Sequence, residues 1–154
     1  MNSRVVAFGA CAVLAMVGNG MAFAADDKPD AEAVLKSMAG TWTYESHITG
    51  GEPMPAEQRK AMTVTFDGAK FTIKNGDKVV MVGTNKIDVS KTPYTIDATV
   101  SEGEGKGRTT PGIFAIDGDV MRACFDMADK TRPDKFASPA KSTFTLMVMK
   151  RMKK

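Results

Sequence analysis

The chain has 154 residues, with 21 Lys and Arg against 18 Asp and Glu, two cysteines and one histidine. So small an excess of base argues against a polyanion such as nucleic acid as partner. A single histidine with few sulfur ligands is poor material for a zinc centre or a catalytic dyad.

Residues 1–24 begin with one basic side chain, Arg4, followed by an apolar stretch from Val5 to Val17 and then Ala22-Phe23-Ala24 ahead of the first acid, Asp26. This is the pattern of a secretory signal peptide cut after Ala24, which predicts a periplasmic or extracellular protein. The apolar stretch, interrupted by Gly18, Asn19 and Gly20, falls short of the roughly 20 apolar residues a stable membrane span needs. Cys11 lies inside that stretch and not behind it, which disfavours a lipid anchor. Cleavage leaves 20 basic against 18 acidic residues and one cysteine, Cys124, so the mature chain has no intramolecular disulfide. Its stability must come from the core of a single domain.

Residues 25–39 read as a polar leader and a short helix: Asp30 is placed to cap it, Val34, Leu35 and Met38 share a face, and Gly40 ends it. The period then changes. Thr41 to Ile48 alternates, with Trp42, Tyr44 and Ile48 on one face and Thr43, Glu45 and His47 on the other, a strand with one wet side. Gly50-Gly51-Glu52-Pro53 is a turn, Pro55 to Lys60 allows one helical turn, and Met62 to Phe66 is a second strand. Asp67-Gly68 and Asn75-Gly76 then punctuate hairpins around Phe71-Thr72-Ile73. Val79 to Lys86 is a fourth strand and Tyr94 to Val100 a fifth. Gly112 to Phe125 forms a hairpin about Asp117-Gly118, and Ser142 to Lys150 is the eighth strand. Eight short strands joined by tight turns predict an all-β fold, an eight-stranded antiparallel barrel over residues 40–152 preceded by the short helix.

Several segments recur in one order: Gly40-Thr41-Trp42, Gly51-Glu52-Pro53-Met54-Pro55, Phe71-Thr72-Ile73, Thr92-Pro93 with Ile96-Asp97, Gly112-Ile113-Phe114 through Gly118-Asp119 to Cys124-Phe125, Arg132-Pro133 with Phe136, and Lys150-Arg151. Together they resemble a family of exported lipocalin-like domains abundant in planctomycete bacteria. The likeness spans about residues 38 to 152, and Phe114 departs from it where a Tyr is expected. It implies a lipocalin-like β-barrel of uncharacterised function and no catalytic residues. By analogy with lipocalins it also implies that Trp42 packs at the closed end beneath Arg151 or Lys150, with a cation within about 6 Å of the ring. Trp42, Arg151 and Arg132 are thus structural candidates.

In the hairpin, a turn at Asp117-Gly118 sets Phe114 opposite Met121 and Ile116 opposite Asp119. Phe114, Met121, Ala123 and Phe125 then face one way, and Ile113, Arg122 and Cys124 the other. With Phe114 inside, the thiol faces outward, where only a covering loop or helix could bury it. The interior ligand-binding candidates are Tyr44, Phe114, Met121 and Phe125, with no catalytic or metal site and no cofactor.

Other residues have a bland reading beside a sharper one. His47 is expected on the outer face of its strand, and Cys124 as a small buried apolar residue. Met147 and Met149 with Cys124 offer soft ligands for Cu(I), but flexible core filling explains them without a metal. Ser101 to Arg108 has the glycines of a phosphate loop without a following helix, and reads as a mobile tip at the barrel mouth that could act as a lid. Asp117 and Asp119 read as turn residues, and the terminal Lys150, Arg151, Lys153 and Lys154 as a solvated run. The function these features predict is binding of a small apolar or amphipathic ligand by an exported, non-enzymatic barrel. The alternative is an envelope or extracellular interaction module with a filled barrel, its protein partner unknown.

Overall fold

The computed structural model describes residues 29–154, so the signal peptide read at 1–24 and most of the leader lie outside the described residues. Helix α1 (Ala31–Met38) is capped by Asp30, whose Oδ1 accepts from the Ala33 N–H at 2.7 Å, and it buries Val34 and Met38. The strands follow as β1 (Gly40–Thr49), β2 (Glu52–Pro53), β3 (Met62–Asp67), β4 (Lys70–Asn75), β5 (Lys78–Asp88), β6 (Tyr94–Gly103), β7 (Thr109–Asp117), β8 (Val120–Asp126) and β9 (Phe144–Arg151). A short helix, α2 (Ala56–Ala61), sits between β2 and β3. Each strand from β3 to β9 pairs antiparallel with the next, and β1 pairs with both β3 and β9. Eight strands therefore close into a barrel with no long edge exposed, while β2 is a two-residue annex on β1. No helix among the described residues is long and apolar enough to cross a membrane.

Three of the turns are two-residue hairpins with glycine first: Gly68 at φ 56°, Gly76 at 61° and Gly118 at 58°. A positive φ at that position matches the twist of the flanking strands and is open to glycine at little cost. The third turn corrects the expected register. Gly118 and Asp119 are the central pair, so Asp117 faces Val120, Ile116 faces Met121 and Phe114 faces Ala123, not Met121. The shift is two residues, an even number, so every side chain keeps its expected face.

A second correction has the opposite consequence. Between Tyr44 and Ser46 the β1–β9 register slips, with Tyr44 opposite Met149 and Ser46 opposite Val148, leaving Glu45 as a bulge residue. An odd insertion reverses the alternation downstream. His47, expected on the outer face, turns into the barrel opposite Met147, and Ile48, expected to share a face with Trp42, turns away.

The closed end gathers α1, Trp42 and the last residues of β9. Trp42 is fully buried and donates from Nε1 to the Met38 carbonyl at 2.8 Å. The Arg151 guanidinium lies over its ring, 4.2 Å from the centroid, and bonds the Ser37 carbonyl at 2.5 Å and the Ala39 carbonyl. Arg151 Nε also donates to Asp119 Oδ1 at 3.0 Å, so Asp119 fastens the barrel floor as well as forming a turn. The apolar side chains of Val34 and Met38 on α1 and a cation on an aromatic face thus plug one end.

Outside the barrel, residues 127–143 form a strap across β6, β7 and β8. Arg132 donates to the carbonyls of Ile96 at 3.0 Å and Gly112 at 2.8 Å and to Asp97 at 2.7 Å, which fixes the strap to the sheet. Pro133 is fully buried, and Arg122 lies 5.0 Å from the Phe136 ring centroid. Cys124 faces outward beneath this strap, fully buried, its thiol donating to the Ala137 carbonyl at 3.3 Å. Burial pushes that thiol above its usual value, which disfavours the nucleophilic thiolate.

Both ends of the strap are tied to Asp126. Its carboxylate accepts from the N–H groups of Ala128, Lys130 and Thr131 at 2.7 to 3.0 Å and from the Thr143 hydroxyl at 2.5 Å. Burial alone would raise its pKa, but these four donors outweigh it and hold the group down at about 2.

Candidate functional site

The barrel is hollow. A cavity of about 480 Å³ opens at the end away from Trp42, where the β6–β7 loop contributes Glu104, Gly105 and Arg108 to its wall. Aliphatic, aromatic and thioether side chains make most of the rest: Val64, Phe71, Ile96 and Val100 on one side, Met121, Met147 and Met149 on the other. A barrel of eight strands has room for one small ligand when its side chains leave the axis open.

Two inward glycines help to keep it open. Phe71 faces Gly83, and Phe125 faces Gly112, across neighbouring strands. A Cβ on Gly83 would meet the Phe71 ring at 2.5 Å, and one on Gly112 would meet the Phe125 ring at 2.5 Å. Each ring therefore occupies the wall space above a glycine, which spares the lumen.

Of the interior candidates, Tyr44, Met121 and Phe125 line this cavity. Phe114 points inward and is fully buried, but it packs against Tyr94, with ring centroids 5.5 Å apart, and is not part of the cavity wall. Trp42, Arg151 and Arg132 stand outside the cavity, in the floor and on the outer strap. Met147 and Met149 line the lumen while Cys124 faces the opposite side of the sheet, so the soft-metal trio is split by the barrel wall. Among the described residues no three His, Cys, Asp or Glu side chains are grouped to hold a metal ion.

The base of the β6–β7 loop is tied to the strap through Arg108. Arg108 Nε donates to Asp129 Oδ2 at 2.7 Å and Nη2 to the Met127 carbonyl at 2.6 Å, while Asp129 also accepts from Thr110 at 2.7 Å. These bonds join the β6–β7 loop to the start of the strap at the cavity mouth.

No family model, curated protein or solved structure matches this chain. The cavity itself therefore carries the functional reading.

His47 and Asn85 are polar wall residues that the strand pattern did not place inside. His47 lies edge-on to Tyr44, with ring centroids 5.7 Å apart; burial lowers its pKa, against a smaller opposing effect of its backbone hydrogen bond. Burial likewise raises the Tyr44 phenol well above its ordinary value. Asn85, on β5, is only 7 % exposed and lines the cavity, and its Nδ2 has no hydrogen-bond partner. The bulge at Glu45 leaves no trace in the alternation and hides His47. Asn85 was accessible to period-two reading, because it falls in phase with Met81 and Ile87 on an otherwise apolar face.

Proposed function

We propose that this chain is an exported, lipocalin-like binding protein that holds one small apolar or amphipathic molecule inside its barrel. The observation that carries the reading is the apolar cavity of about 480 Å³, open at one end and within the size range of small-molecule sites. Support comes also from the signal-peptide pattern of residues 1–24 and from the ordered motifs resembling the exported planctomycete family. Binding without turnover is favoured because acid and base work needs titratable groups converging on a substrate, whereas this wall is mainly Val, Ile, Phe and Met.

Native mass spectrometry of the protein isolated from its own cell envelope tests the proposal. A single non-covalent small molecule, released on denaturation, is the expected result. Material that carries nothing and takes up no apolar probe contradicts it.

A further inference from the structure

Asn85 is the one described residue with a buried side-chain nitrogen that lacks a partner, and it stands on the cavity wall. Its place is toward the closed end: its backbone N–H donates to the Ala69 carbonyl at 2.7 Å, in the turn between β3 and β4, and its Cα faces Ala98 across the β5–β6 ladder. Phe66, Phe71 and Ile96 share that part of the wall and offer the amide no acceptor. A buried amide N–H without a partner is costly, and native interiors retain few of them without a reason.

We propose that the molecule held in the barrel is a neutral compound with an apolar body and a hydrogen-bond-accepting oxygen, such as a carbonyl, at the end that enters first, and that Asn85 receives this oxygen. The inference rests on the reading of the barrel as a ligand-binding cavity and narrows it to a chemical class. A hydrocarbon would leave the amide orphaned. A carboxylate would have to shed its water at a depth where Asn85 supplies neutral donors and no cation, which is far more costly than burying a ketone or ester. The Arg108 guanidinium is at the mouth and already bonded to Asp129 and Met127.

The test compares 2-undecanone with undecane as competitors of N-phenyl-1-naphthylamine, in the wild type and in Asn85→Leu, a change that keeps the bulk and removes the amide. The ratio of the two affinities cancels their difference in water solubility between the two proteins. The expected result is a preference for the ketone about tenfold larger in the wild type than in Asn85→Leu, the worth of one hydrogen bond. An equal ratio in both proteins overturns the proposal, because the amide then serves no ligand oxygen. If the fluorophore itself does not bind the wild type, the cavity reading fails with it. A second readout needs no variant: in ¹H–¹⁵N spectra of the wild type, the Asn85 side-chain NH₂ pair should shift with 2-undecanone and stay in place with undecane. Equal behaviour with both compounds contradicts the proposal.

Discussion

Arg151 sits directly across the β1–β9 ladder from Trp42, and its guanidinium covers the indole ring at 4.2 Å while its nitrogens bond the carbonyls of Ser37 and Ala39. One side chain thereby joins the last strand to the first, terminates α1 and seals the barrel floor. Lys at this position keeps the charge but lacks the planar fork that reaches several acceptors at once. Arg151→Lys should cost about 1–2 kcal/mol in urea unfolding, the worth of the hydrogen bonds to Ser37, Ala39 and Asp119 that one ammonium cannot all replace. The emission of Trp42, the only tryptophan, should move to longer wavelength as the floor loosens. Unchanged stability would show that Arg151 is not what holds the floor.

Acid should loosen the strap. The Asp126 carboxyl has a folded-state pKa of about 2 against an ordinary 3.8, so the unfolded chain takes up its proton first as pH falls. Its stabilisation is complete above about pH 4, shrinks through the interval between the two values and is gone below about pH 2, a loss of roughly 2 kcal/mol. Urea titrations of the wild type and Asp126→Asn over this range should show the wild type falling more steeply. Parallel curves would mean that the ionised carboxylate does not tie the strap.

Gly112→Ala should both destabilise the barrel and shrink the cavity. A Cβ there would lie 2.5 Å from the Phe125 ring and 2.7 Å from the Cys124 carbonyl, so the ring must leave the wall and enter the lumen. Overpacking of this kind costs roughly 1–3 kcal/mol, and binding of an apolar fluorophore should weaken in proportion to the volume lost. Full binding in the variant would place the ligand elsewhere.

Removing the orphaned amide should stabilise the empty protein. Asn85→Leu replaces a buried, unpaired donor with an apolar group of similar size, and a gain of about 1–3 kcal/mol in urea unfolding is expected. A loss would mean that the amide is already satisfied in the empty barrel.

The barrel was legible because its strands are short runs rich in β-branched and aromatic residues and its turns carry glycine at fixed places: Gly68, Gly76 and Gly118 mark three hairpins whatever the tertiary context. The hairpin register was misplaced by two residues, since Asp117-Gly118 and Gly118-Asp119 both make acceptable turns and only the β8–β9 and β6–β7 ladders choose between them. His47 was misread for a different reason. The bulge at Glu45 depends on how β1 bends between β3 and β9, a demand of barrel closure that no local residue pattern records. The burial of Cys124 needed the strap, whose anchors Arg132 and Asp126 act through backbone groups far along the chain. The hollow interior was equally beyond periodicity, because it depends on two phenyl rings lying over Gly83 and Gly112.

Whether the barrel holds a ligand is decided by a fluorescence titration of N-phenyl-1-naphthylamine into the wild type and Ala98→Trp, which places an indole in the lumen from the middle of β6. Saturable binding of one molecule per chain by the wild type, abolished in an Ala98→Trp protein whose circular dichroism is unchanged, is the result a ligand-holding barrel predicts. Absent binding, or binding of equal strength in the filled variant, would contradict it.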